Sequence, residues 1–172
     1  MERLWAPWRM PFIQRTHKQK TKRCIFCLAC DATSHAERKK CSVLAQTRHA
    51  VAMLNIFPYN NGHLMVAPRQ HTGDFACITG AEWQDMMALL QRCRLALEDT
   101  LHPQGYNVGI NIGRAAGAGI EEHLHIHMVP RWSGDGNFMP ILAATKVLPQ
   151  ALSESYDQIL IAMNKRKRRA VP

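Results

Sequence analysis

The sequence predicts an α+β fold, an antiparallel sheet with helices packed on it. Short apolar runs typical of strands lie at 49–58 and 60–68, and others follow at 106–113 and in EEHLHIHMVPRW (121–132). The strongest helical pattern lies between these two groups. Because strands and helices segregate instead of alternating, an antiparallel sheet is favoured over a parallel one.

Composition limits the class of protein. A chain of 172 residues, 47% hydrophobic and 20% charged, is large enough for one globular domain with a real core. No apolar run approaches the roughly 18 residues of a membrane span. The N-terminal stretch lacks the apolar core of a secretory signal. We therefore expect a cytoplasmic protein without a membrane partner.

The net charge of +9 is concentrated in two segments. RTHKQKTKR (15–23) and KRKRR (165–169) each carry five basic residues and no acid, so the rest of the chain is close to neutral. Such runs are usually solvated tails and carry no base-reading code. We expect no specific nucleic-acid partner. We divide the chain into a basic arm (1–23), one domain (24–164) and a basic tail (165–172).

The first elements are short. Residues 31–42 form a polar loop or a short helix, and the runs at 49–58 and 60–68 predict two strands. The first run ends at Pro58, and the second opens with an Asn-Gly turn signal. Together they predict a hairpin-like antiparallel pair.

One long helix begins near Thr79, where TGAE matches a capping box completed by Glu82. An apolar stripe follows at three- and four-residue steps, made of Trp83, Met86, Leu90, Cys93 and Leu97. Pro103 and Gly105 end the helix. A strand at 106–113, a flexible connection at 114–119 and a last helix over about 149–165 complete the prediction.

Three histidines occupy every second position of the stretch at 121–132. Successive side chains of a strand point to opposite faces, so His123, His125 and His127 share one face. The residues between them, Leu124, Ile126 and Met128, face the core. Chance, a metal site and nucleophilic catalysis by one imidazole all fit this pattern, and spacing alone does not separate the last two.

Six cysteines in a cytosolic chain favour metal binding or buried thiols over disulfides. In CIFC, Cys24 and Cys27 have the spacing of a zinc-binding pair that needs two further ligands. Cys30 extends the spacing and raises an iron–sulfur alternative, which lacks a fourth cysteine in a cluster pattern. The simplest alternative is a pair of reduced, buried thiols.

These stretches together resemble a known family. HLHIHMV matches the alternating motif of histidine triad (HIT) proteins, and NIFPYNNGHLMVAPRQH resembles their nucleotide-binding segment. LWAPWRM, CIFC and VPRWSGDGNFMP resemble a microbial branch that includes diadenosine tetraphosphate phosphorylases and hydrolases. The resemblance covers roughly residues 3–145 and implies the HIT-like α+β fold.

The resemblance implies roles for individual residues. His125 would attack the α-phosphorus of a nucleotide and form a nucleotidyl-histidine intermediate. His127 would contact the phosphate and the leaving oxygen with His63 behind it, and His123 completes the catalytic set. The implied nucleotide-binding residues are Asn55, Asn111, Gly117, Ala118, Gly119 and Trp132. Asn55 would face the ribose, and backbone amides of the connection would face the phosphate.

One departure from the family concerns the residues just before the triad. Many members carry Ser, Thr or Gln there, whereas this chain has Gly119, Ile120, Glu121 and Glu122. This departure bears on the choice of leaving group and on the rate. Glu121 and Glu122 also fit as surface charges where the strand begins.

The resemblance also implies a metal. Zinc-bearing relatives use a CxxC pair, a histidine after the Gly-His strand and the first triad histidine, which here are Cys24, Cys27, His71 and His123. Two sulfur and two nitrogen ligands make a closed structural zinc site. This site would leave His125 free as the nucleophile. No organic cofactor is implied.

The resulting functional hypothesis is an enzyme that cleaves a dinucleoside polyphosphate such as diadenosine tetraphosphate, with phosphate or water as acceptor. The alternatives are a nucleotide-binding sensor with little turnover, or a hydrolase of nucleoside phosphoramidates or adenylated ends. The resemblance also implies a homodimer or homotetramer.

Overall fold

The computed structural model describes residues 23–135 and 150–169, with side chains through 166. Its helices are α1 (Ile25–Asp31), α2 (His35–Lys40), α3 (Gly80–Leu101) and α4 (Leu152–Arg169). Its strands are β1 (Val43–Gln46), β2 (Ala50–Leu54), β3 (Leu64–Pro68), β4 (Gly105–Ile110) and β5 (Ile126–Arg131). Short 3-10 turns lie at Phe75–Cys77 and Arg114–Ala116.

The five strands form one antiparallel sheet in the order β1-β2-β3-β5-β4. The predicted hairpin-like pair is present, because β2 and β3 pair from Ala50↔Pro68 to Leu54↔Leu64. β5 lies between β3 and β4, so the end of the histidine stretch is held on both sides. The α+β prediction is confirmed.

The two faces of the sheet carry different cores. One core, here the helical core, packs α3 and α4 against alternate strand residues, among them Ala52, Leu54, Leu64, Val66, Ile126 and Met128. The other, the α1 core, packs Phe26 against residues one position away, among them Val51, Met53, Met65 and Ala67. Because side chains alternate along a strand, these are opposite faces. The triad histidines alternate with helical-core residues and so belong to the α1 side.

Helix α3 begins as the sequence predicts. The Thr79 side chain accepts from the Glu82 amide, and the Glu82 carboxylate accepts from the Thr79 amide. Four residues of the predicted stripe are buried, and Trp83 packs partly buried at the edge of the helical core. This helix covers the face of β2 and β3 opposite the histidines.

Several predicted boundaries differ from the structure, among them those of α4 and of the histidine strand. Helix α4 runs to Arg169 instead of ending near 165, because Lys and Arg favour helix and Arg166 pairs with Asp99 of α3. Strand β5 begins at Ile126, so His123 and His125 precede the paired residues. Before β5, the chain is held by the Leu124 amide, which donates to the Thr72 carbonyl at 2.7 Å.

Some predictions lie outside the described residues: the basic arm except for Arg23, the end of VPRWSGDGNFMP and the last residues of the basic tail. Within the described residues, none of the helices combines the length and apolarity that crossing a membrane requires.

Candidate active site and metal centre

The four predicted ligands meet on the α1 side of the sheet. Cys24 and Cys27 come from the start of α1, His71 follows β3, and His123 precedes β5. Their sulfur and nitrogen ligand atoms all lie within 4.8 Å of one another. The Nδ1 atoms of His71 and His123 are 3.1 Å apart, and each lies 3.3 Å from one cysteine Sγ. This is the donor set that a tetrahedral zinc ion takes.

The orientation of His123 suits a ligand. Its Nε2 donates to the Pro68 carbonyl at 2.9 Å, so in the neutral ring the lone pair is on Nδ1, which faces the cysteines. Burial lowers the pKa of His123 below its ordinary value and favours that neutral form. A ligand histidine held by a backbone acceptor through its second nitrogen is common in metal sites.

Gly73, which the sequence analysis did not single out, explains how His71 reaches His123. A Cβ atom added at Gly73 would lie 2.0 Å from the backbone oxygen of Glu121. Real Cβ atoms essentially never approach so closely, so only glycine fits between these segments without a shift. Together with the hydrogen bond from Leu124 to Thr72, this contact brings residues 71–73 against residues 121–124.

His125 lies beside the metal-type cluster but does not belong to it. Its side chain is 5% exposed, and its Nδ1 donates to the His123 carbonyl at 2.8 Å. In the neutral ring the lone pair is therefore on Nε2. Burial lowers the pKa of His125, which favours the neutral, nucleophilic form of the ring.

The hydrogen bond between His63 and His127 has a defined donor and acceptor. The Tyr59 amide donates to His63 Nδ1 at 3.0 Å, and the Asn55 side-chain amide lies 3.4 Å from the same nitrogen. His63 Nδ1 is therefore an acceptor, which places the proton of the neutral ring on Nε2. That Nε2 lies 3.0 Å from His127 Nδ1, so His127 carries its own proton on Nε2.

Aromatic contacts enclose these rings. The Phe26 ring lies 4.7 Å from His125 and 5.1 Å from His123, measured between centroids. The His127 ring meets His125 edge-on at 4.7 Å. Tyr59 stacks on His63 at 5.0 Å. Neither Phe26 nor Tyr59 was among the predicted site residues. Each nevertheless lies within a motif that carries the family resemblance, Phe26 in CIFC and Tyr59 in NIFPYNNGHLMVAPRQH.

The predicted nucleotide-binding residues are less closely gathered. Asn55 lies next to His63, and its Oδ1 accepts from the Phe57 amide at 2.9 Å. Asn111 follows β4 and Trp132 follows β5. Among the described residues, no hydrogen bond or ring contact joins these two side chains to the histidines.

Two backbone amides of the connection before the triad are hydrogen-bonded within the connection itself. The Gly117 and Ala118 amides donate to the carbonyls of Arg114 and Gly113, at 2.9 Å and 3.3 Å. An ion pair between Arg114 and Glu121 spans the connection. The Gly119 amide has no hydrogen-bond acceptor among the described residues.

Known proteins resemble this chain in sequence. The HIT domain family matches residues 36–134. AP-4-A phosphorylase of Mycobacterium tuberculosis is 37% identical over 160 residues, which are 90% of this chain and 80% of that protein. This chain belongs to the HIT family. The family match begins beyond Cys24 and Cys27, so it contains only the two histidines of the cluster.

Solved HIT structures resemble the fold. A zinc-bound histidine triad family protein of Mycobacterium smegmatis is 27% identical, with a TM-score of 0.64 over 85% of this chain and 96% of that one. A hypothetical histidine triad nucleotide-binding protein of Sulfolobus tokodaii also reaches 0.64, over 86% of this chain and 96% of that one. Its identity is 23%, so that likeness concerns the fold alone.

Replacing Gly73 by alanine is expected to lower both stability and metal binding. The new methyl group forces residues 71–73 away from Glu121, at a typical overpacking cost of about 1–3 kcal/mol, and moves His71 from the other ligands. Chemical denaturation and zinc titration measure the two effects. Gly80→Ala is the matched control, because nothing lies within 4 Å of its added Cβ. A Gly73→Ala protein with wild-type stability and zinc affinity would contradict the role given to this contact.

Proposed function

We propose that this HIT protein is a nucleotidyl transferase that splits dinucleoside polyphosphates, diadenosine tetraphosphate above all, through a nucleotidyl-His125 intermediate. The observation that carries the proposal is the orientation of His125, a buried neutral imidazole with its lone pair on Nε2. The relative named AP-4-A phosphorylase supports the substrate class.

In the first step, His125 Nε2 attacks the α-phosphorus, and the bond from that phosphorus to the bridging oxygen breaks. AMP is then attached to His125, and ATP leaves. The positive charge that develops on the ring is stabilised by the Nδ1–H bond to the His123 carbonyl. This bond is charge-assisted once the ring is cationic, so it is stronger in the intermediate than in the free enzyme.

His127 is suited to donate a hydrogen bond to the leaving oxygen. Because His63 donates to its Nδ1, the proton of neutral His127 lies on Nε2, the nitrogen directed away from His63. That N–H can donate to the bridging oxygen as negative charge develops there. Two donors facing His63 Nδ1 hold this arrangement in place. His63 therefore acts by fixing the tautomer of His127.

In the second step, phosphate or water attacks the AMP phosphorus and releases His125. An oxygen–phosphorus bond forms, the phosphorus–Nε2 bond breaks, and the electron pair returns to the ring. We propose phosphate as the acceptor, because the relative at 37% identity is named a phosphorylase. The products are then ADP and ATP.

The nucleotide is proposed to bind beside the rings of His125 and His127. Asn55 would meet the ribose hydroxyls, and Asn111 and Trp132 would lie along the rest of the nucleotide. Within the connection, the Gly119 amide is the donor best suited to a phosphoryl oxygen, since the Gly117 and Ala118 amides already bond within the turn. A donor preorganised for developing charge lowers the barrier without reorganisation.

The cluster of Cys24, Cys27, His71 and His123 is proposed to hold a structural zinc ion. Its ligand atoms fit that ion in type, number and separation, and a zinc-bound HIT protein shares the fold. Zinc at this position would link α1 to the segments after β3 and before β5. The hydrogen bond from His125 would then have an acceptor, the His123 carbonyl, that is held in a fixed position.

We also propose that the protein acts as a homodimer or homotetramer. The edge strand β4 and the residues after it expose large apolar side chains, Val108 at 50% and Ile112 at 55%. An uncovered edge strand with apolar side chains is suited to pairing with a second chain.

Product analysis tests the proposed reaction. Diadenosine tetraphosphate incubated with phosphate is expected to give ADP and ATP in equal amounts, separated by anion exchange. AMP and ATP formed at a rate indifferent to phosphate would make the protein a hydrolase. Binding without either product set would make it a nucleotide sensor instead.

His125→Asn is expected to lower kcat by at least about a thousandfold, because the covalent step loses its nucleophile. Nucleotide affinity, measured by calorimetry, should change only a few-fold. The matched control is His102→Asn, at the exposed end of α3 with φ of 46°, a left-handed conformation that asparagine tolerates. Near-wild-type turnover in His125→Asn would refute the intermediate.

Purified protein is expected to contain about one zinc ion per chain, the occupancy of one closed four-ligand site. Cys24→Ser should lower both zinc content and melting temperature, because a structural metal adds its binding energy to folding. Cys77→Ser is the control, since Cys77 is exposed and outside the cluster. Elemental analysis of reduced, chelator-free protein that finds no zinc would count against the site.

A further inference from the structure

Phe26 occupies a position that neither metal binding nor core packing fully explains. It lies between the two cysteines of CIFC, is fully buried, and begins the α1 core. The other buried members of that core are small or aliphatic side chains. Phe26 alone among them also has a ring contact with His125 and His123.

The His125 ring is held from two directions. The Phe26 ring lies 4.7 Å from it between centroids, with the two ring planes tilted by 33°. The His127 ring meets it at 4.7 Å with the planes at 75°, an edge contact. Rotation of the imidazole about its last side-chain bond would sweep the space that these two rings occupy.

The hydrogen bond to His123 does not hold that ring by itself. The last torsion of a histidine side chain is broad, so the plane of the ring swings unless neighbours confine it. The net contribution of one neutral hydrogen bond favours the bonded orientation by only about fivefold. A swing of the ring plane would turn the lone pair of Nε2 away from the proposed position of the α-phosphorus.

We propose that Phe26 is a positioning residue for the reaction: its flat ring locks the His125 imidazole in the attacking orientation. This inference rests on the proposed function for its consequence in catalysis. It also connects two parts of the site, because the turn that supplies Cys24 and Cys27 is the one that supplies the ring. The Cys24 Sγ lies 3.3 Å from His123 Nδ1, so the same turn contacts both His123 and His125.

The test compares Phe26→Leu with wild type in the full-length, zinc-loaded protein. Leucine keeps an apolar side chain but loses the flat surface. We expect one zinc per chain, a KM for diadenosine tetraphosphate within about threefold, and a kcat lowered by about tenfold to hundredfold, as expected when a reacting group is slightly misplaced. Single-turnover formation of AMP-His125 should slow by the same factor.

The control is Phe75→Leu. Phe75 is 47% exposed, and among the described residues its ring contact is with Trp83 and not with a histidine. Its replacement should change neither kcat nor KM. Equal losses in both variants would show a general effect of removing a phenyl ring and would overturn the proposal.

A second measurement does not need the substrate. Nitrogen NMR of the histidine rings should show His125 as one tautomer with its proton on Nδ1 in wild type, and an averaged or doubled signal in Phe26→Leu. Wild-type protein that never becomes adenylated would refute the proposed function, while these spectra would still decide the role of Phe26. Unchanged spectra and unchanged kcat in Phe26→Leu would overturn the positioning role.

Phe26→Met, whose side chain has about the volume of leucine but is unbranched and adapts to irregular gaps, covers the case in which the leucine variant loses zinc. A methionine variant that retains zinc but shows the lower kcat and the averaged signal supports the proposal. Loss of zinc in both variants would overturn it, because Phe26 would then serve the metal turn and not the nucleophile.

Discussion

The site depends on His123, because its side chain faces the cysteines while its backbone carbonyl accepts a hydrogen bond from His125. Its Nδ1 faces Cys24 and Cys27, and its Nε2 donates to the Pro68 carbonyl. Its own carbonyl accepts the proton on His125 Nδ1. A shift of His123 would therefore disturb the metal-type cluster and the orientation of His125 together. Full burial of the side chain leaves little room for such a shift.

The alternation of the histidine stretch gives three equal rings three different environments. His123 meets thiols, His125 meets the Phe26 ring and a backbone carbonyl, and His127 meets His63. The neighbours differ because α1 reaches His123 and His125, the segment after β3 reaches His123, and the turn before β3 reaches His127. Meanwhile Leu124, Ile126 and Met128 pack into the helical core and hold the stretch in place.

Neutral rings with fixed tautomers are the common electrostatic theme. Burial disfavours the charged form of His123 and His125, and backbone groups decide which nitrogen carries the proton. The tautomer of His127 is fixed in a similar way, because the Tyr59 amide sets the tautomer of His63 and His63 donates to His127. A charge that forms on His125 during a reaction would thus appear in a buried site with an acceptor already in place, where such contacts have their greatest effect.

The sequence by itself determined the features that depend on local periodicity. Alternation placed His123, His125 and His127 opposite Leu124, Ile126 and Met128, and TGAE located the start of α3. The four members of the metal-type cluster came from family resemblance, because CxxC spacing names only two of them. Only the tertiary structure decided that Gly73 brings His71 to His123, that Phe26 covers His125, and that α4 continues to Arg169. The reason is physical: a side-chain period fixes which face a residue occupies, whereas long-range packing decides which distant segment meets it there.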